Sequence, residues 1–140
     1  MVDPDRVRRL LEALSAYRAQ LAELSAMERP RYLDEQALAG RYLAQVAAQA
    51  CIDTAGHVIA SSGWRAPRDF RDAFTVLEEN DVLEQHLAER LRALAGLRNR
   101  LVHVYEDVDD GLVYDHIAEG LADLDAFARA IAELLAEDPG

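Results

Sequence analysis

Apolar residues in this chain recur every three or four positions almost from end to end. Nowhere do they alternate with polar residues for long enough to make a strand. Val7, Leu10, Leu14, Tyr17, Leu21 and Leu24 form one series, Leu87, Leu91, Leu94, Leu97 and Leu101 a second, and Ile117, Leu121, Leu124, Ile131 and Leu134 a third. That period places each series on one face of a helix. Helices of this kind bury their stripes against one another. The expected fold is all-α: an antiparallel bundle of four long helices and a short one, in a single domain over residues 1–140.

Punctuation residues set the expected boundaries. Asp3 before Pro4 reads as an N-cap with proline in the first turn, opening a helix that runs to about Met27. Pro30 interrupts it. A second helix is expected from near Asp34 to about Ala60, with Ala44, Ala47, Ala48, Ala50, Ala55 and Gly56 letting its neighbours approach closely. Ser61, Ser62 and Gly63 end it, and Trp64 to Pro67 form a connection. Asp69 is a candidate cap for the short helix, with Phe70, Phe74 and Leu77 on one face. The fourth helix is expected from around Asp81, followed after Tyr105 by an acidic loop, the last helix and a frayed Asp138, Pro139 and Gly140.

Composition narrows the function classes. Fifteen basic and 26 acidic residues give a net charge of −11, which argues against broad nonspecific binding to nucleic acid or membranes but permits a small basic cleft. Every basic residue is arginine, so an anion site would use planar, permanently charged guanidinium groups. With abundant alanine, this composition suggests a GC-rich coding genome. Cys51 is the only cysteine, which excludes an intrachain disulfide and zinc sites built on paired thiolates; its alanine neighbours mark a buried, inert thiol. No stretch approaches the ~20 apolar residues of a membrane helix. The N-terminus has no basic segment followed by an apolar one, so a cytoplasmic protein is expected.

The end of the fourth helix carries the chemistry. Arg98, Asn99, His103 and Tyr105 project within an arc of about 160°, outside the arc that turns Leu97 and Leu101 toward the core. A histidine can remove or deliver a proton near neutral pH, and a guanidinium fits phosphate oxygens through two parallel hydrogen bonds. Together they have the components for cleaving an RNA phosphodiester without metal or cofactor: a base for the ribose 2′-hydroxyl and a cation for the charge building on phosphate. Asn99, one turn before His103, could fix the imidazole tautomer or a substrate oxygen. The residues alone leave a bland reading open, a histidine favoured by the dipole at a helix C-terminus.

Arg98, His103 and Tyr105 spell R-x4-H-x-Y, which resembles the signature of the HepT-type toxins of the HEPN superfamily. Residues 41–63 resemble that family's long central helix, residues 67–74 its proline and phenylalanine segment, and residues 113–135 its final helix. The resemblance implies an α-helical homodimer whose two motifs face a shared cleft, acting as a metal-independent endoribonuclease on tRNA or mRNA. It implies Arg98, His103 and Asn99 as the catalytic set. It also implies a partner, a minimal nucleotidyltransferase antitoxin that transfers AMP from ATP to Tyr105. The added bulk and negative charge would then block the place where RNA phosphate docks. A different class stays open: a noncatalytic helical partner that helps a nucleotidyltransferase bind its nucleotide.

Other polar residues admit simpler readings. Asp53, if buried, would need a partner such as an arginine; a solvated face is the plainer expectation. His57, His86 and His116 read as ordinary helix-surface histidines. Arg65, Arg68, Arg71 and Arg100 are candidate RNA-binding residues rimming a cleft, as are Arg90 and Arg92, with surface ion pairing as the alternative. Trp64 either stacks on a base or packs over a helix end. The acidic run from Glu106 to Asp110 either faces the antitoxin or is solvated, with Asp110 capping the last helix.

Overall fold

A computed structural model describes residues 2–103 and 107–137, and these form six helices with no strand among them. Helix α1 (Pro4–Ser25) starts as expected: the Asp3 carboxylate accepts from the backbone N–H groups of Asp5 and Arg6, and Pro4 stands where no N–H is required. Its stripe of Val7, Leu14, Leu21 and Leu24 is buried.

Pro30 does not simply separate two helices. It falls in the first turn of a short extra helix, α2 (Arg29–Glu35), where the missing N–H has no cost, and Tyr32 on this helix is fully buried. The break comes later, at Gln36, so α3 runs over Ala37–Ser62 rather than from near Asp34. Gly40 is required there: a Cβ would collide with the buried Tyr32 ring.

Helix α3 is central, in contact with α1, α2, α4, α5 and α6. Ala44, Ala47, Ala48, Ala50, Cys51 and Ala55 are buried along it, which is how the small residues let the other helices close in. Gly63 ends it at φ 70°, a left-handed turn that a side chain would strain, and Trp64 N–H bonds back to the Ile59 carbonyl. Trp64 itself packs against the core.

Helix α4 (Phe70–Glu79) is capped by Asp69, whose carboxylate accepts from Asp72 N–H at 2.7 Å. Phe74 and Leu77 are buried as expected, but Phe70 is 38% exposed and turns toward α5. Helix α5 (Gln85–His103) begins four residues later than Asp81. Asp81 has φ 61°, outside helical geometry, in a turn closed by Val82 N–H on the Leu77 carbonyl.

The last helix, α6 (Asp110–Glu137), is capped by Asp109 and not by Asp110: the Asp109 carboxylate accepts from Gly111 and Leu112 N–H. Asp110 is already helical and pairs with Arg41 at 2.6 Å, tying α6 to α3. Phe127 of α6 meets Phe74 of α4 edge to face, 6.1 Å between centroids, in the middle of the core. Among the described residues no helix is long and apolar enough to cross a membrane.

Candidate active site

The site begins with the register of α5. Leu91 and Ala95 are buried, and Arg98, seven and three residues after them, continues their line at the helix end and is half-buried, instead of standing opposite the core-facing side as the sequence pattern suggested. Leu97 is only partly buried, Leu101 is buried, and Asn99 and His103 turn progressively outward. His103 is exposed, five residues beyond Arg98 and therefore about 7.5 Å further along the axis. Tyr105 lies outside the described residues.

Three neutral groups hold Arg98. Its Nε donates to the side-chain carbonyl of Gln49 at 2.9 Å, and its Nη1 donates to the Asn99 carbonyl at 3.3 Å. Its guanidinium lies over the Phe70 ring, 5.0 Å from the centroid. Gln49 is fixed in turn by Asp53, which accepts from Gln49 Nε2 at 2.7 Å. Among the described residues no carboxylate pairs with Arg98. Among the described residues the guanidinium is thus ordered by neutral partners alone, an arrangement that suits an anion site.

The sequence reading gave Asn99 to the His103 imidazole or to a substrate oxygen. Its carbonyl accepts from Arg98 instead. Asp53 is exposed on a solvated face, as expected, but it reaches an arginine indirectly through Gln49. Gln49 and Phe70 were not recognisable as site residues. The only trace was the four-residue spacing of Gln49 and Asp53 on one face of α3.

The four candidate RNA-binding arginines separate. Arg65 makes two hydrogen bonds to Asp72, at 2.8 and 3.0 Å, and two to Glu79, both at 2.9 Å. Arg68 donates to Asp72 from its backbone and its Nε. These bonds, those from Arg65 foremost, hold the Asp72 carboxyl well below the usual carboxylate range and push the Arg65 guanidinium up. Both arginines therefore order the α3–α4 connection. Arg71 is different: its guanidinium lies against α5 at Gly96, where an added Cβ would touch it at 3.5 Å. Gly96, Asn99 and His103 share one helix face, so Arg71 lies on the motif's side. Arg100 is exposed and lines, with Leu97 and Leu112, an apolar groove of about 620 Å³ bounded by α1, α3, α5 and α6. Arg90 and Arg92 pair with Asp123 and Glu78.

His57 accepts from Asp3 N–H, tying the start of α1 to α3, and His116 lies 3.6 Å from Glu119. Cys51 is buried, and burial pushes its thiol up. Among the described residues no three His, Cys, Asp or Glu side chains gather to hold a metal ion.

The fold is that of a HEPN toxin. The chain superposes with a TM-score of 0.84 on the Shewanella oneidensis HEPN toxin, solved tri-AMPylated and in complex with MNT antitoxin, covering 94% of this chain and 99% of that one at 23% identity. The family model described as ribonuclease HepT-like matches residues 8–131, and the chain belongs to that family. It is 30% identical over 137 residues to the tRNA nuclease HepT of Aphanizomenon flos-aquae, covering 96% of this chain and 92% of the relative. It is also 34% identical over 83 residues to the mRNA nuclease HepT of Shewanella oneidensis, a match spanning 59% of this chain and 62% of that protein's length. The likeness carried by residues 98–105 is thus one of family.

Proposed function

We propose that the chain is a metal-independent endoribonuclease toxin, silenced when a minimal nucleotidyltransferase antitoxin adenylylates Tyr105. The observation that carries this reading is Arg98: ordered by Gln49, Asn99 and Phe70, left without a carboxylate partner among the described residues, and placed on the same helix end as an exposed His103. Family membership supports RNA as the substrate class, since relatives are named as nucleases of tRNA and of mRNA.

In the proposed reaction His103 takes the proton from a ribose 2′-hydroxyl. The 2′-oxygen bonds to phosphorus as the bond to the 5′-oxygen breaks; the 5′-oxygen takes a proton from water, and His103 returns its own proton to solvent, so no net proton is gained or lost. The products are a 2′,3′-cyclic phosphate and a free 5′-hydroxyl. Arg98 binds the phosphate oxygens as negative charge builds on them. Asn99 acts on Arg98, and Arg71 adds charge along the same face for the RNA strand. We further propose a cytoplasmic homodimer in which both motifs face one cleft, with an interface of at least ~1,000 Å². AMP on Tyr105, two residues from His103, would bring bulk and negative charge to that cleft.

The test is cleavage of labelled tRNA and mRNA in EDTA by the purified chain beside His103→Ala. Cleavage by the wild type alone supports the reading. Binding to a nucleotidyltransferase with no cleavage by unmodified wild type would instead assign a noncatalytic helical partner.

A further inference from the structure

We infer that Gln49 is a positioning residue that sets the orientation of the Arg98 guanidinium toward RNA phosphate, with its own amide direction fixed by Asp53. The inference rests on the ribonuclease reading above and deepens it.

An arginine side chain is long and rotamer-rich, so an unheld guanidinium offers its fork to phosphate only part of the time. Gln49 removes that freedom at one point. Its carbonyl accepts from Nε of Arg98 at 2.9 Å, and the ring of Phe70 fixes the plane from one side at 5.0 Å. Asn99 accepts one hydrogen of Nη1. Among the described residues this leaves Nη2 and the other hydrogen of Nη1, an edge that matches two phosphate oxygens.

An amide alone could present either end to Arg98. Asp53 decides which. As a carboxylate it only accepts, so it draws the Gln49 NH₂ at 2.7 Å and leaves the carbonyl facing the guanidinium. The choice of glutamine also has a reason. A glutamate in its place could accept from Nε equally well, but its charge would oppose the phosphate that Arg98 is to bind. Neutral holding preserves the cation; a carboxylate would dilute it.

The test uses the full chain with Gln49→Leu and Gln49→Glu, all carrying wild-type-like thermal unfolding, with His103→Ala as the inactive reference. In Gln49→Leu the exchange-protected Nε–H signal of Arg98 in a nitrogen-15 NMR spectrum is expected to disappear, and kcat is expected to fall on the order of ten- to a hundredfold with KM changed less than threefold. In Gln49→Glu the Nε–H signal is expected to persist while KM for RNA rises at least threefold, because the orientation stays and the charge changes. An unaltered Arg98 signal and unaltered kcat in Gln49→Leu, with His103→Ala inactive, would overturn the inference and leave the ribonuclease reading standing. If His103→Ala cleaves like wild type, the ribonuclease reading fails, and the Nε–H signal still decides whether Gln49 holds Arg98.

Discussion

Arg98 on α5 and Gln49 on α3 are joined by a 2.9 Å hydrogen bond that spans 49 positions in the sequence. The same chain shows the opposite arrangement at Arg65, which sits between the Asp72 and Glu79 carboxylates. One guanidinium sits between two carboxylates and builds the fold; the other is held, among the described residues, by neutral groups, which is why we propose it for binding phosphate.

Arg98→Lys tests whether the planar fork matters. Lysine keeps the charge but loses the Nε bond to Gln49, the stacking on Phe70 and the bidentate edge. RNA cleavage is expected to fall about a hundredfold, measured as kcat/KM, with little change in unfolding temperature. Full activity in the lysine variant would show that a point charge suffices.

Asp72→Asn should weaken the fold in a pH-dependent way. The wild-type carboxyl titrates well below its ordinary range because Arg65 and Arg68 donate to it, so its contribution is complete above the unfolded-state carboxylate range and is lost as pH falls through the folded-state value. At pH 7 the variant is expected to lose on the order of 2 kcal/mol, read by denaturant unfolding. The two proteins should converge at strongly acidic pH. A gap that stays constant down to acid would rule out the ionised carboxylate as its source.

Tyr32 and Gly40 make a paired test of packing. The Tyr32 hydroxyl is buried with no hydrogen-bond partner among the described residues, and burial pushes its pKa up to about 12. Removing it in Tyr32→Phe should leave stability unchanged or raise it by about 1 kcal/mol. Gly40→Ala puts a methyl into the same ring and should lower stability by about 1–3 kcal/mol. Thermal unfolding of the two variants distinguishes them, and Gly40→Ala in the Tyr32→Phe background should be milder.

Tyr105→Phe separates cleavage from control. The variant is expected to cut RNA at a rate within about threefold of wild type, since the proposed mechanism gives the tyrosine no part in proton transfer. After incubation with the cognate nucleotidyltransferase and ATP, wild type should gain AMP on Tyr105 and lose activity, whereas the variant should keep its activity. Mass spectrometry placing AMP elsewhere, with Tyr105 bare, would refute this control.

Arg98, Asn99 and His103 could be grouped as candidates because they sit within six consecutive residues of one helix, and the structure brings Arg98 and Asn99 into contact. Gln49 and Phe70 were not, because their contacts with Arg98 depend on how α3 and α4 pack on α5. The bundle, the central alanine-rich helix and the Asp3 and Asp69 caps followed from periodicity and capping chemistry. Helix α2 was hidden because Pro30 reads as a breaker and yet is tolerated in a first turn. Asp109 and Asp110 are chemically equivalent as caps, and only the ion pair of Asp110 with Arg41 separates their roles.

The most direct measurement is single-turnover cleavage in EDTA of one RNA, prepared with either a ribose or a 2′-deoxyribose at its mapped cut site. The account predicts that wild type cuts the ribose substrate to a 2′,3′-cyclic phosphate and a 5′-hydroxyl, leaves the deoxy substrate whole, and loses all cleavage in His103→Ala. Cutting of the deoxy substrate at the same rate, or undiminished cutting by His103→Ala, would contradict it.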